Sequence, residues 1–467
     1  MSMKIKHHPL VVIVALATFS VVFPLSVWLF SNPSLLNAQF VITLFVLTAS
    51  LVLSLQGLFT LIWMLYAWEN PEDMEKHKSP KKFVAPQLSF TALLPARHEE
   101  KVIGDTIKAI DKINYPEKLK EILVLCREDD TETIIKAEEV IKQLGKKNIR
   151  LIVFNSFPIN KPHALNYGLQ EAKNRVISIF DAEDEPHKEI YNIVNTTMLK
   201  DKVDVIQSGV QLMNYRTRWF SALNVVEYYL WFKSGLHFFS NIGRVTPLGG
   251  NTVFFKKYWL DFIGGWDKDC LTEDADIGIR LTLAGAKTKV FYDEAHTTQE
   301  ETPNSAVSFI KQRTRWNQGF LQILLKGDWG KLPMLRQKMV AAYVLLSPMM
   351  QALLLLYMPL GVTLALTQKL PIWVTLLSFI PLYLFVLQLL TFTVALYKFT
   401  KEYRLRFSLL SPLRILLAFY PYQLMLVFSS FRAFYRILAS KNAWEKTLHT
   451  NAHREMADLS LATQYAK

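Results

Sequence analysis

Apolar residues gather at the two ends of this chain, and a polar stretch with alternating strand and helix periods separates them. Two apolar runs, residues 9–30 and 40–68, precede the polar stretch, and three more, about 339–367, 371–397 and 408–435, follow it. About 20 apolar residues span the hydrocarbon core of a bilayer, so each run is long enough to cross. Lys4, Lys6 and two histidines precede the first run, and no small-residue cleavage site clearly follows it. It reads as a retained anchor rather than a removed leader. The last run holds Arg414 and Arg432 together with Pro412 and Pro421, which leaves a tilted span and an interfacial helix both open. Basic residues lie on both sides of it, so the distribution of positive charge does not orient it.

The middle of the chain has a different rhythm. Short β-branched or leucine-rich runs predict strands over 88–94 (ended by Pro95), 121–126, 150–154 and 176–180. Helical periods over 101–113 and 132–144, and a short helix after Lys161, fall between them. Strands alternating with helices predict a mainly parallel, Rossmann-like sheet whose ligands bind at the carboxyl ends of the strands. The expected layout is a membrane region over 1–70 with two spans, a linker over 71–87 and an α/β domain over 88–330. A second membrane region over 331–440 and a polar tail over 441–467 complete it. The aromatic-rich stretch 216–239 and a similar one around 309–325 predict helices at the membrane interface.

Composition narrows the classes. The net charge of +13 suits a protein that meets anionic lipid and handles anionic nucleotides. Its basic residues are scattered and accompany no recognised nucleic-acid motif, which argues against a nucleic-acid partner. Cys126 and Cys270 are the only cysteines, too few for a disulfide framework or a cysteine zinc site.

Three charged clusters stand out. Asp181-Ala182-Glu183-Asp184 ends a buried strand, where carboxylates can hold a divalent cation against a diphosphate. A solvated acidic loop would show the same letters. Thr272-Glu273-Asp274 follows a glycine turn and opens a helix, with Thr272 as an N-cap and a carboxylate placed to take a proton. Gln312-Arg313-Thr314-Arg315-Trp316 puts Gln312 and Arg315 on one helix face, a guanidinium for pyrophosphate beside an indole for stacking. A core Trp with a solvated Arg is the plainer alternative. Arg216-Thr217-Arg218-Trp219 repeats the letters without the upstream glutamine and reads as interfacial. Glu99 and Lys161 are candidates for meeting the nucleotide, and Gly249-Gly250-Asn251 for letting backbone approach a ligand. Together, cation, base and anion clamp read as transfer of a sugar from a nucleotide diphosphate. His163 and His296 receive no role.

In this order and spacing, these residues resemble the family 2 inverting glycosyltransferases, above all the membrane-embedded synthases of the cellulose, chitin and hyaluronan type. The resemblance covers about residues 85–325 and the flanking spans. It implies a GT-A catalytic domain, a UDP-sugar donor and Mg²⁺ or Mn²⁺. By that likeness Glu128 or Asp130 takes the uridine-binding acidic position, and Asp181 and Glu183 serve metal and diphosphate. Asp274 with Glu273 supplies the general base, and Gln312, Arg315 and Trp316 lie near acceptor and nucleotide. Two letters depart from the family pattern: Glu183 stands where many members have Asp, so Asp184 is a rival ligand, and Arg127-Glu128-Asp129-Asp130 replaces the commoner Asp-Asp pair. The implied setting is the plasma (inner) membrane with a cytoplasmic catalytic domain. The implied partners are a nucleotide-sugar donor, a growing glycan or a lipid acceptor, membrane lipids, and an accessory export or regulatory subunit. Processive synthesis of a β-linked polysaccharide is the main expectation, and one-step transfer to a lipid is the alternative.

Overall fold

The structure, a computed structural model, describes residues 38–441 and Glu445. The apolar run 9–30 and most of the expected polar tail lie outside the described residues.

The middle of the chain folds on nine strands: β1 (Phe90–Ala96), β2 (Lys120–Arg127), β3 (Ile149–Phe154), β4 (Val176–Ile179), β5 (Val205–Gln207), β6 (Val210–Leu212), β7 (Val253–Lys256), β8 (Thr288–Val290) and β9 (Thr298–Glu300). Seven of them form one sheet in the order β3-β2-β1-β4-β7-β5-β8, and β6 pairs with β9 alone. β3, β2, β1 and β4 run parallel, and β7 lies antiparallel between β4 and β5. All eight residues of β2 are buried, as expected of a central parallel strand covered on both faces. Helices Ile103–Asp111, Thr131–Leu144 and Ile190–Asp201 cover one face through Ile107, Val140 and Ile190. Helices Lys161–Glu171 and Glu273–Ala284 cover the other through Leu165, Leu169, Ile277 and Leu281.

β1 does not end at Pro95, as its sequence suggested, but runs through it to Ala96. The backbone of Leu93 faces β4, since its carbonyl accepts from Phe180 N at 3.2 Å, and Pro95 faces the same way two residues on. β4 pairing stops at Leu93–Ile179, so the missing proline N–H leaves no ladder bond unmade.

Among the described residues four helices are long and apolar enough to cross a membrane: Ala38–Glu69, Leu335–Thr367, Ile372–Glu402 (broken at Phe379) and Ser411–Leu438. The last, whose arginines and prolines left its nature open, is one continuous helix with Pro412 in its first turn and Pro421 inside. The aromatic stretch expected at the interface is instead largely buried. Helix Ser221–Leu230 continues through π turns at Trp231–Gly235 and Phe239–Gly243, and Tyr229, Leu236 and Phe239 are sealed from solvent. Ser234 Oγ donates to Trp63 O at 2.7 Å and accepts from Ala67 N at 2.9 Å, which fastens this segment to the first described apolar helix. The segment therefore lies between the sheet half and the apolar helices.

Helix Glu273–Ala284 fits closely because Gly278 has no side chain: a Cβ there would sit 2.5 Å from the Thr246 carbonyl oxygen. Gly278→Ala should lower stability by about 1–3 kcal/mol through overpacking, whereas Gly330→Ala, with nothing within 4 Å of its Cβ, should be close to neutral. Thermal unfolding of the two variants in one detergent checks this. Equal melting temperatures would show that the helix can shift freely.

Candidate active site

A cavity of about 460 Å³ opens at the carboxyl ends of β1, β2 and β4, and the three sequence clusters meet in its wall. Asp181 stands two residues beyond the end of β4, and Glu183 follows on the same turn. Lys161 opens helix Lys161–Glu171, whose start is fixed by the Asn160 side chain accepting from His163 N at 3.0 Å. From there Lys161 Nζ donates to an Asp181 carboxylate oxygen and, at 2.8 Å, to Gly250 O. A Cβ on Gly250 would lie 3.3 Å from an Asp274 oxygen and 3.4 Å from Lys161 Nζ, so the glycine lets these two groups close on one backbone turn. Glu273 and Asp274 occupy the first turn of helix Glu273–Ala284, and Ala275 N donates to Asp274 Oδ1 at 2.8 Å.

Helix Ala306–Lys326 delivers Gln312, Arg315 and Trp316 to the opposite wall. It can approach the Thr272 turn only because of Gly319, where a Cβ would stand 2.6 Å from Thr272 N. Lys326 at its far end pairs with Asp267 at 2.9 Å and with the buried Asp276 at 2.7 Å, tying this helix to the one that bears Asp274. The Gln312 Oε1 atom is buried with no hydrogen-bond partner among the described residues. Glu99, Gly249 and Asn251 also line the cavity.

Glu128 and Asp130 do not line it. Glu128 is exposed, and buried Asp130 accepts from His98 N at 2.6 Å. The nearby wall is instead formed by Arg97 and Arg127, which share Asp129 at 2.8 and 2.5 Å. Asp184 is turned away from the cavity: it accepts from Asp181 N and from Asn251 Nδ2, both at 2.8 Å, and so braces the acidic loop. Thr272 precedes its helix, yet its side chain makes no capping bond and its hydroxyl, packed against Gly319, lacks a partner among the described residues. The second RTRW string lies outside the cavity, with Arg216 bonded to Arg406 O and Trp219 half exposed.

Several wall residues escaped the sequence reading. Glu300, from the three-residue strand β9, bonds Asn251 beside Asp181 and Glu183. Arg313 holds Glu227 in a two-pronged ion pair at 2.7 and 2.8 Å. Gln56, Gln351, Gln388 and Gln423 carry the wall onward into the apolar helices. The signal for the glutamines was present, since an amide is costly in an otherwise apolar span.

The electrostatics are dominated by crowded acid. Burial, and then the Asp181 charge, push the Glu183 carboxyl up to about 8. Burial, and then Glu183, push Glu300 up to about 8 as well. Burial and the Asp274 charge raise Glu273 to about 7, and burial raises Asp274, so the latter is a stronger proton acceptor than a free aspartate. Burial disfavours the Lys161 charge, but Asp181, Glu273 and Asp274 outweigh it and raise its pKa. Among the described residues no three His, Cys, Asp or Glu side chains form a closed metal cage. One or two carboxylates beside a phosphate is nevertheless the donor set Mg²⁺ takes. Asp181 and Glu183 fit that set, and the acid excess around them is what a divalent cation would relieve.

Residues 86–319, half of the chain, match the model of the glycosyltransferase-like family 2. The chain is 26% identical over 243 residues to a probable glycosyltransferase, YdaM, of Bacillus subtilis, covering 50% of this chain and 56% of that one. It is 27% identical over 248 residues to a beta-monoglucosyldiacylglycerol synthase of Nostoc, covering 52% and 51%. It is 25% identical over 264 residues to a poly-beta-1,6-N-acetyl-D-glucosamine synthase of Staphylococcus epidermidis, covering 56% and 60%. The chain thus spans about half the length of the curated relatives it matches. Among solved structures, a mannosyltransferase of Pyrobaculum calidifontis in complex with GDP-Man and Mn²⁺ aligns with a TM-score of 0.49 and 17% identity, covering 85% of this chain and 99% of that one.

Without a cation, folded Glu183 and Glu300 hold protons up to about pH 8, while an ordinary glutamate releases its proton near 4.5. The folded state therefore binds more protons than the unfolded one across that window, and stability falls as pH rises through it. Glu300→Gln should flatten this fall, and Mn²⁺ should restore stability at the alkaline end. Melting temperatures in chelator at both ends of the window check this. A cation-free protein that gains stability with rising pH would show that these carboxyls are ionised throughout.

Proposed function

The chain belongs to the glycosyltransferase-like family 2, and from that premise we propose that it transfers a sugar, with inversion, from a nucleotide diphosphate sugar to a growing β-linked glycan that leaves through its own apolar helices. A UDP-sugar is the donor proposed. The catalytic half faces the cytoplasm from the plasma (inner) membrane, where such donors are made. An accessory export or regulatory subunit is compatible with this arrangement.

The chemistry follows from the side chains. An acceptor hydroxyl attacks the anomeric carbon, Asp274 takes its proton, and the bond to the diphosphate breaks on the opposite face, so one displacement inverts the centre. Arg315 and Lys161 offset the charge that gathers on the departing diphosphate. Asp181 and Glu183 would hold Mg²⁺ or Mn²⁺, which when bound adds Lewis-acid stabilisation of the same charge. Trp316 offers the acceptor sugar a stacking face.

One observation supports passage of a glycan above all. The cavity is continuous from Asp181 and Asp274 to glutamines contributed by all four apolar helices, Gln56, Gln351, Gln388 and Gln423. Gln351 Nε2 donates to Gln423 Oε1 at 3.1 Å. The Gln56 Oε1 and Gln388 Nε2 atoms are buried and lack a partner among the described residues. Amides present donors and acceptors together, which suits sugar hydroxyls better than acyl chains.

Asp274→Asn should lower turnover by about 10²–10⁴-fold while donor affinity changes little. Labelled-donor turnover and nucleotide binding on the same preparation check this, and wild-type turnover would remove Asp274 from the mechanism. Purified protein given radiolabelled UDP-sugars with Mg²⁺ or Mn²⁺ should yield long labelled chains, and Gln388→Leu should shorten them. Products of a single sugar that partition with lipid would instead establish the glycolipid activity.

A further inference from the structure

The middle letters of Gln312-Arg313-Thr314-Arg315-Trp316 are more than a spacer. Arg313 is three residues before Trp316 on helix Ala306–Lys326, so both side chains share one face. Its guanidinium lies 4.6 Å from the centre of the Trp316 ring and 5.0 Å from that of Phe309. It is almost fully buried and held from three directions: Glu227 Oε1 at 2.7 Å, Glu227 Oε2 at 2.8 Å and Asn224 Oδ1 at 2.7 Å. Both partners belong to helix Ser221–Leu230, which also presses Tyr228 to 6.2 Å from the Trp316 ring. The other end of the clamp reaches the membrane half, because Tyr422 of helix Ser411–Leu438 donates its hydroxyl hydrogen to Glu227 Oε2.

We infer that Arg313 and Glu227 are positioning residues that set the plane of Trp316, and that Tyr422 links this setting to the last apolar helix, so that the acceptor platform responds to what occupies the bundle. A two-pronged guanidinium pair fixes orientation as well as distance, and the same planar group stacks under the indole. Lysine can replace the charge but neither the fork nor the stack. Removing the Tyr422 hydroxyl leaves Arg313–Glu227 intact and cuts the hydrogen bond from the last apolar helix to that pair, while Asn317–Ser430 and Gln318–Arg436 still join the two helices. The acceptor role of Trp316 rests on the sugar-transfer reading above; the clamp itself does not.

The test uses full-length protein in one detergent, with Tyr422→Phe, Arg313→Lys and the double variant. Two readouts are taken: the ratio of sugar transferred to nucleotide released, and the ¹⁹F resonance of Trp316 in protein labelled with fluorotryptophan, assigned by Trp316→Phe. Tyr422→Phe should lower the transfer ratio severalfold with the donor KM unchanged, and Arg313→Lys should lower it further. The double variant should add little to Arg313→Lys alone, since both act on one clamp. In both single variants the Trp316 resonance should move while that of Trp219 stays. An unmoved Trp316 resonance overturns the clamp, as does a loss of turnover at constant transfer ratio, which marks a merely structural pair. A wild-type protein that transfers no sugar, with the resonance still shifting, defeats the sugar-transfer reading and leaves the clamp standing.

Discussion

Helix Ala306–Lys326 has to satisfy two environments at once, and the site depends on that double packing. On one side Gly319 lets it touch the Thr272 turn, and Lys326 pairs with the buried Asp276. On the other, Asn317 donates to Ser430 Oγ at 3.0 Å, and Gln318 accepts from Arg436 Nε at 2.7 Å, both on helix Ser411–Leu438. A helix bound only to the sheet would leave the cavity open where it meets the apolar bundle. Bound only to the bundle, it would carry Arg315 and Trp316 out of reach of Asp274. Because these polar contacts are largely shielded from water, losing one partner strands the other, which makes the arrangement specific.

The second constraint is charge. Asp181, Glu183, Glu273, Asp274 and Glu300 line one cavity with Lys161 and Arg315. Such a site is strained toward accepting positive charge and protons, the condition that suits it to a cation-bound diphosphate and to proton uptake from an acceptor. Asp184 and Asn251 brace this acidic loop: Asp184 accepts from Asp181 N and from Asn251, and Asn251 also bonds Glu300 on β9.

Much of this was legible in the sequence. The β-branched and leucine-rich runs located β1 to β4 within two residues; β1, β2 and β4 are buried on both faces and need unbroken apolar letters, while the edge strand β3 is only partly buried. Asp181 after a strand and Asp274 at a helix start are local signals, whereas mid-helix Arg315 joined them only through its Gln312-x-x-Arg315-Trp316 spacing and the family resemblance. What escaped was set by tertiary contact. Glu300 lies on a three-residue strand too short to show a period, and Gly319 and Gly278 reveal themselves only through the atoms their side chains would strike. Arg313 and the four glutamines received no role, because no letter shows that Arg313 meets Glu227 or that the glutamines face one cavity. The aromatic helix expected on the membrane surface is buried, because its hydrophobic letters serve a junction between two halves of the chain as well as they would serve lipid.

On the proposed reading, sugar transfer and passage into the apolar bundle share one continuous cavity. Inverted membrane vesicles holding the protein, supplied with labelled donor on the outside and then with a glycan-degrading enzyme, test it most directly. Labelled chains should resist digestion until detergent opens the vesicles. Chains digested fully without detergent, or label found only in extracted lipid, would contradict it.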